Sequence, residues 1–159
     1  MAVRIGLGSD LHRLKPGDGI RLGGLDIPCS LSCIAVSDGD VLLHALIDAW
    51  LGALGLGDIG DHFPESSVVP GTDSRFFLEK ILTLSSREKA RIVNIDCIIE
   101  LERPKLGEWK KKIGANLADL LELAPAKINV KAKTAEGMGQ VGNGLVIIAR
   151  TVLLVEVDA

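Results

Sequence analysis

Ser37-Asp38-Gly39-Asp40-Val41-Leu42-Leu43-His44-Ala45-Leu46-Ile47-Asp48-Ala49-Trp50-Leu51-Gly52-Ala53-Leu54 is the stretch from which the rest of the chain can be placed. Val41, Leu42, Ala45, Leu46, Ala49 and Leu54 recur near a 3.6-residue period, which predicts a helix over Val41 to Leu54. Ser37 and Asp38 offer side-chain oxygens to cap its start. Upstream, Val3 and Ile5 alternate with Arg4, so Ala2 to Gly8 reads as a short strand and Leu14 to Gly19 as a loop. Ile20 to Cys29 reads as two short extended pieces broken by Gly23 and Gly24.

Downstream, Gly52, Gly55, Gly57 and Gly60 end the helical pattern and leave Asp58 to Gly71 as a long polar loop with His62, Pro64 and Pro70. A second helix is expected to start at Asp73 or Ser74 and to bury Phe76, Phe77, Ile81 and Leu84. A third, from Glu108 to Leu123, should bury Ile113, Leu117, Leu120 and Leu121. Ile92 to Leu101 reads as a strand. So does the run in which Ile128, Val130, Ala132 and Thr134 alternate. The nearly continuous apolar run Val146 to Val157 predicts a strand buried on both faces. The expected fold is one α+β domain over residues 1–159, a mixed β-sheet with helices packed on one face.

The composition agrees. A chain of 159 residues can bury roughly 70% of its unfolded surface around one core. Hydrophobic residues make up 47%, charged residues 25% and aromatics 3%, with no Tyr, so the core is aliphatic and disorder is excluded. A net charge of -3 provides no basic field for nucleic acid or an anionic membrane surface. Cys29, Cys33 and Cys97 lack the spacing of a disulfide framework and read as reduced thiols in a cytoplasmic setting. No leader sequence is expected at the N-terminus. Leu145 to Val157, interrupted by Arg150, is shorter than the ~20 residues of a membrane span.

Chemistry concentrates around two of the three histidines. Asp10 and His12 are two apart, so an extended backbone turns both side chains to one side. With His44 from the helix they form a two-imidazole, one-carboxylate set that suits zinc and leaves a fourth position open for substrate or water. The plainer alternative is a satisfied core histidine at His44 and a loop pair at Asp10 and His12. Asp48 lies one turn after His44 and can face the same way, with Asp58-Ile59-Gly60 beyond. Together with Ser37-Asp38-Gly39-Asp40 before the helix, these residues could orient a metal-bound imidazole or hold the hydroxyls of a polyol, or, for Ser37, Asp38 and Gly39, simply form a capping run and a turn. Lys131-Ala132-Lys133-Thr134-Ala135-Glu136 offers ammoniums and a hydroxyl for phosphate and a carboxylate for magnesium, or else is an ordinary half-exposed strand. Arg103-Pro104-Lys105-Leu106-Gly107 could wall a base pocket with backbone groups.

Taken in order, Gly8-Ser9-Asp10-Leu11-His12, Ser37 to Asp48, Gly57-Asp58-Ile59-Gly60 with Phe63-Pro64, Asp73-Ser74-Arg75, Arg103-Pro104-Lys105, and Val130 to Thr134 with Glu136 resemble the 2-C-methyl-D-erythritol 2,4-cyclodiphosphate synthases of the non-mevalonate isoprenoid pathway. The resemblance covers essentially the whole chain. It implies an intramolecular cyclisation in which the 2-phosphate of a diphosphocytidyl-methylerythritol attacks the β-phosphorus and expels CMP. It also implies a homotrimer with sites between subunits. On that likeness Asp10, His12 and His44 hold zinc, Glu136 holds magnesium or manganese, and Thr134 and Ser37 serve the reacting phosphates, with Ala132 and Lys133 beside them. Asp58, Ile59 and Gly60 would meet the ribose, Asp48 would lie among the substrate contacts, and Lys105 and Leu106 would meet the cytosine. The loop from Phe63 to Ser67 would cover the methylerythritol, and an axial cavity would take an isoprenoid phosphate.

The chain departs from the family at Val36, where the family usually has a histidine thought to steady the phosphates, and at Ser67, Gln140 and Asn143, where acidic, aromatic and basic residues are common. Two rival readings stand beside this one. One is a zinc phosphohydrolase whose open metal position activates water. The other is a catalytically weak relative that binds a nucleotide or an isoprenoid phosphate.

Overall fold

The computed structural model describes residues 2–85 and 89–157. Five strands form a mixed sheet: β1 (Ala2–Pro16), β4 (Leu31–Ile34), β5 (Ala90–Glu100), β6 (Ile128–Lys133) and β7 (Val146–Val157), in the order β4-β1-β7-β5-β6. All neighbours run antiparallel except β5 and β6, which are parallel. β2 (Ile20–Leu22) and β3 (Leu25–Ile27) make a separate hairpin. The helices are α1 (Val41–Leu54), α2 (Ile59–His62), α3 (Ser74–Ser85), α4 (Trp109–Leu120) and α5 (Gly139–Gly142). A single α+β core joins the sheet, the hairpin and the longer helices.

α1 is the centre of that core. Eleven of its fourteen residues are buried, and the three that are not, His44, Asp48 and Gly52, fall four apart on one line of the helix. Its start is capped by Asp40, rather than by Ser37 or Asp38 as expected, because the Asp40 carboxylate accepts the Leu43 N–H at 3.0 Å. The same buried carboxylate accepts the Gly23 and Gly24 N–H groups at 2.9 and 2.6 Å, which ties the β2–β3 hairpin to the helix. Gly55, in the left-handed region at φ 71°, ends α1.

β1 is longer than the expected Ala2 to Gly8. It runs on through Asp10 and His12 to Pro16, so the expected loop at Leu14 begins as strand, paired there with β4, an element the sequence pattern did not show. Within the expected loop from Asp58 to Gly71, α2 and a short 3-10 turn at Glu65–Ser67 form instead. In α3, Phe77, Leu78 and Ile81 are buried, but Phe76 and Leu84, expected to be buried, are 46% and 43% exposed. In α4, Ile113, Leu117 and Ala118 are buried, whereas Leu120 and Leu121 only lean on the core.

β7 is not buried on both faces. Ile147, Ala149, Leu153, Val155 and Val157 point under the helices, but Val152 is 43% exposed and Arg150 faces outward. The longer helices cover the inward residues of β1 and β7, and alternate residues on the other side of those strands meet water. On β1 that open face carries Val3, Ile5, Leu7 and Leu11, each at least half exposed.

Candidate active site

Gly6 and Gly8 set the distance between β1 and α1. A Cβ at Gly6 would stand 1.8 Å from the Ala49 carbonyl oxygen, and one at Gly8 would stand 1.9 Å from that of Ala45. Only hydrogen at both positions lets the helix backbone lie on the strand. The strand continues two residues at a time to Asp10 and His12, on the same face as Gly6 and Gly8, while α1 presents His44.

These three side chains converge. Asp10 Oδ2 lies 3.0 Å from His44 Nδ1 and 3.1 Å from His12 Nε2, and one donor atom from each residue falls within 4.8 Å of the others. The imidazole rings meet edge to face at 5.4 Å. Burial alone pushes the Asp10 carboxyl up, but the neighbouring His12 and His44 imidazoles outweigh it and hold that carboxyl well below the usual range. Burial likewise pulls His44 down, and the Asp10 hydrogen bond, with the charges of Asp10, Asp40 and Asp38, more than reverses it. His12 Nε2 is buried with no aligned hydrogen-bond partner among the described residues. A buried lone pair left over beside a carboxylate and a second imidazole suits a divalent metal of borderline softness. Cys33 is not among the side chains that converge there, and burial, then Asp40 and Asp10, push its thiol up to about 12.

The site opens on a cavity of about 330 Å³ walled by His12, Ser37, His44, Ile59, Phe63 and Glu65, and by Ile34, Ala35, Val68 and Phe77, which no sequence pattern placed there. Val36 is part of the same wall. Ser37 Oγ accepts the Gly39 N–H at 3.2 Å and lies 3.4 Å from His44 Nε2. Phe63 packs on Phe77 with ring centres 4.8 Å apart. Asp48 accepts the Ile59 N–H at 2.8 Å, so it anchors the start of α2 beside the cavity. Burial raises the Asp48 carboxyl, the Ile59 bond opposes that, and Asp58 and Asp10 reinforce it. Asp58 caps α2 in a reciprocal arrangement with Asp61, and Gly60 lies in its first turn.

The remaining expected site residues are elsewhere. Lys105, Leu106, Ala132, Lys133 and Thr134 line a second cavity, of about 220 Å³, at the β6 edge of the sheet. Glu136 stands exposed in the turn that follows, at φ 52°. That loop is held by Leu101 N–H to the Lys133 carbonyl at 2.9 Å and by Ala135 N–H to the Glu102 carboxylate at 3.1 Å. β7 and β5 intervene between β1 and β6. Three strand spacings, on the order of 14 Å, separate the two groups within one chain.

The YgbB family model matches residues 3–156. The chloroplastic 2-C-methyl-D-erythritol 2,4-cyclodiphosphate synthase of Oryza sativa subsp. japonica is 45% identical over 97% of this chain and 70% of its own length. The 2-C-methyl-D-erythritol 2,4-cyclodiphosphate synthase of Solibacter usitatus is 48% identical over 89% of this chain and 90% of its own. A solved 2C-methyl-D-erythritol-2,4-cyclodiphosphate synthase in a CDP-bound form superposes with a TM-score of 0.88 at 38% identity, covering 96% of this chain and 100% of that one. The bifunctional IspDF of Campylobacter jejuni superposes with a TM-score of 0.92 at 33% identity over 99% of this chain, which spans 43% of that longer protein.

Proposed function

Because the chain belongs to the YgbB family, we propose that it converts 4-diphosphocytidyl-2-C-methyl-D-erythritol 2-phosphate to 2-C-methyl-D-erythritol 2,4-cyclodiphosphate and CMP. The observation that carries this reading is the Asp10, His12 and His44 triad opening on a cavity. In the reaction an oxygen of the 2-phosphate forms a bond to the β-phosphorus. The bond from that phosphorus to the bridging oxygen breaks, and the electron pair leaves on CMP. No protein nucleophile is required, so the residues need only orient one conformer and match its charge.

Zinc held by Asp10, His12 and His44, and magnesium or manganese held by Glu136 together with the substrate, would supply positive charge to the diphosphate oxygens. The Thr134 hydroxyl and Lys133 donate to phosphate oxygens, and Ser37 donates from the cavity wall. Lys105, Leu106 and Ala132 receive the cytidine end, Asp58, Ile59 and Gly60 the ribose, and Asp48 keeps that loop in place. Phe63 and the turn to Ser67 cover the methylerythritol and exclude water.

One chain carries these groups at two separated edges, which supports assembly through those edges. The apolar open face of the sheet supports it too, since Val3, Ile5, Leu7 and Leu11 otherwise stay in water. The assembly we propose is a homotrimer of chains acting as one domain over residues 1–159, with an axial cavity fit for an isoprenoid phosphate. No helix among the described residues is long and apolar enough to cross a membrane, and we assign the enzyme to the cytoplasm. Val36 in the cavity wall favours a second reading, a slow or purely binding relative, since it offers no hydrogen bond to phosphate. Phosphorus NMR of the protein with the diphosphocytidyl substrate and zinc distinguishes these. Cyclodiphosphate and CMP resonances are expected. A linear phosphate product would instead identify a hydrolase, and tight binding without product would identify a binding protein.

A further inference from the structure

We propose that Ser74 and Asp38 are a positioning pair that fixes the tautomer of His44 and so prepares Nδ1 to bind the metal. The inference rests on the reading of Asp10, His12 and His44 as metal ligands and adds Ser74 as the group that joins Asp38 to His44.

Ser74 is completely buried at the first position of α3. Its Oγ lies 2.9 Å from His44 Nε2 and donates its own proton to Asp38 Oδ1, while its backbone N–H reaches Asp38 Oδ2 at 2.9 Å. Asp38 also accepts the Asp40 N–H at 3.2 Å and has Arg21 Nε within 3.1 Å. Arg21 is held in turn by Asp26 at 2.7 Å and Asp73 at 3.0 Å.

The direction of this chain of hydrogen bonds follows from its charged end. A carboxylate only accepts, so Ser74 must spend its one hydroxyl proton on Asp38. The Ser74 oxygen then has only lone pairs to offer, so His44 Nε2 must carry the hydrogen and donate it. A neutral imidazole protonated at Nε2 is bare at Nδ1, and Nδ1 is the atom 3.0 Å from Asp10 Oδ2 at the centre of the triad. Ser37 lies 3.4 Å from the same Nε2, too far to set the tautomer, which leaves its hydroxyl for the cavity. The Phe77 ring, centred 6.2 Å from that of His44, fills the space beside it. A partner of this kind on the outer nitrogen orients a ligating histidine and typically contributes 10–100-fold to metal affinity.

The test is zinc affinity, measured with Zn²⁺ alone by competition against a chromophoric chelator, on the full chain of wild type, Ser74→Ala, Ser74→Thr and Asp38→Asn. Ser74→Ala should weaken zinc binding about 10–100-fold and shift the visible bands of the Co²⁺-substituted protein, with the metal-free melting temperature little changed. Ser74→Thr, which restores the hydroxyl, should restore affinity. Asp38→Asn keeps the volume but can present either a donor or an acceptor to Ser74, so it no longer dictates the direction and should give an intermediate loss, even if the buried alanine variant does not fold. Folded Ser74→Ala or Asp38→Asn proteins that bind zinc as wild type does would overturn the proposal while leaving the metal site intact. Failure of the wild type to bind zinc would instead remove the metal reading itself, and the proposal with it.

Discussion

Asp10 and His44 each change the other's protonation, with opposite consequences for the free and metal-loaded protein. His44 is raised above 6.5, so in metal-free protein its contribution to stability is complete below about that pH and is lost as pH rises through the raised value. Asp10 is lowered from 3.8, so its contribution is present above that value and is lost only in stronger acid. Metal-free protein should therefore melt highest between about pH 4 and 6.5. Zinc, which needs neutral imidazoles, should bind more tightly as pH climbs past that window. Calorimetric melts with and without zinc across pH 4 to 9 check both trends. A metal-free melting temperature that keeps rising through pH 8 would contradict the ion pair. At Val36, losing one donor to the reacting phosphates costs on the order of 10²-fold in rate by analogy with oxyanion-hole deletions. Val36→His should thus raise kcat by roughly 10-fold or more with zinc content unchanged. A histidine variant that turns over no faster would show that the donors already present, Ser37 and Lys133 among them, leave nothing for a group at position 36 to add.

Among the elements, the contact of β1 with α1 governs the site. Because a Cβ at Gly8 would stand inside the Ala45 carbonyl, Gly8→Ala must push the helix away from the strand that carries Asp10 and His12. Overpacking of this kind costs about 1–3 kcal/mol, or more where backbone is the obstacle. The melting temperature should fall by several degrees, and zinc affinity should fall with it as His44 moves off. Gly52→Ala, on the same helix with nothing near its Cβ, is the control and should leave both unchanged or improve stability. Equal behaviour of the two variants in chelator competition would mean that helix placement does not set the metal geometry. Asp40 acts at this scale as well, since one buried carboxylate holds both the start of α1 and the β2–β3 hairpin.

At the scale of the molecule, the metal triad near β1 and the Thr134 and Glu136 loop beyond β6 lie three strand spacings apart in one chain, and the proposed homotrimer would bring them to one substrate from two chains. Mixing His44→Ala with Glu136→Ala chains, each inactive alone, should restore part of the activity through sites that take His44 from one chain and Glu136 from another. Mixtures with no gain, despite subunit exchange shown by mass, would place the whole site within one subunit. Ile5→Lys on the open sheet face should weaken self-association in sedimentation, because a charge replaces an apolar side chain that is 70% exposed in the single chain.

Local pattern carried much of this protein. The 3.6-residue period and the polar flanks located α1, strict alternation located β6, and the two-residue step from Asp10 to His12 placed both on one side of a strand. Each of those readings depends on neighbours within a few positions, where backbone geometry alone dictates which side chains share a face. Pairing and layering were not legible in the same way. β4 has only four residues and exists because β1 supplies its hydrogen-bond partners. The outward face of β7 carries Ile148, Val152 and Leu154 beside Arg150 and Glu156, so in sequence the run reads as nearly continuous apolar strand, and the packing of the helices decides which side is buried. Ser74 sits 30 residues from His44 and Asp38 36 residues from Ser74, so no spacing rule could join them. Which carboxylate caps α1, which hydroxyl meets the histidine and which cavity receives each candidate residue were decided by the tertiary structure, because a hydrogen bond or a close contact between distant segments exists only once the backbones that carry them have packed.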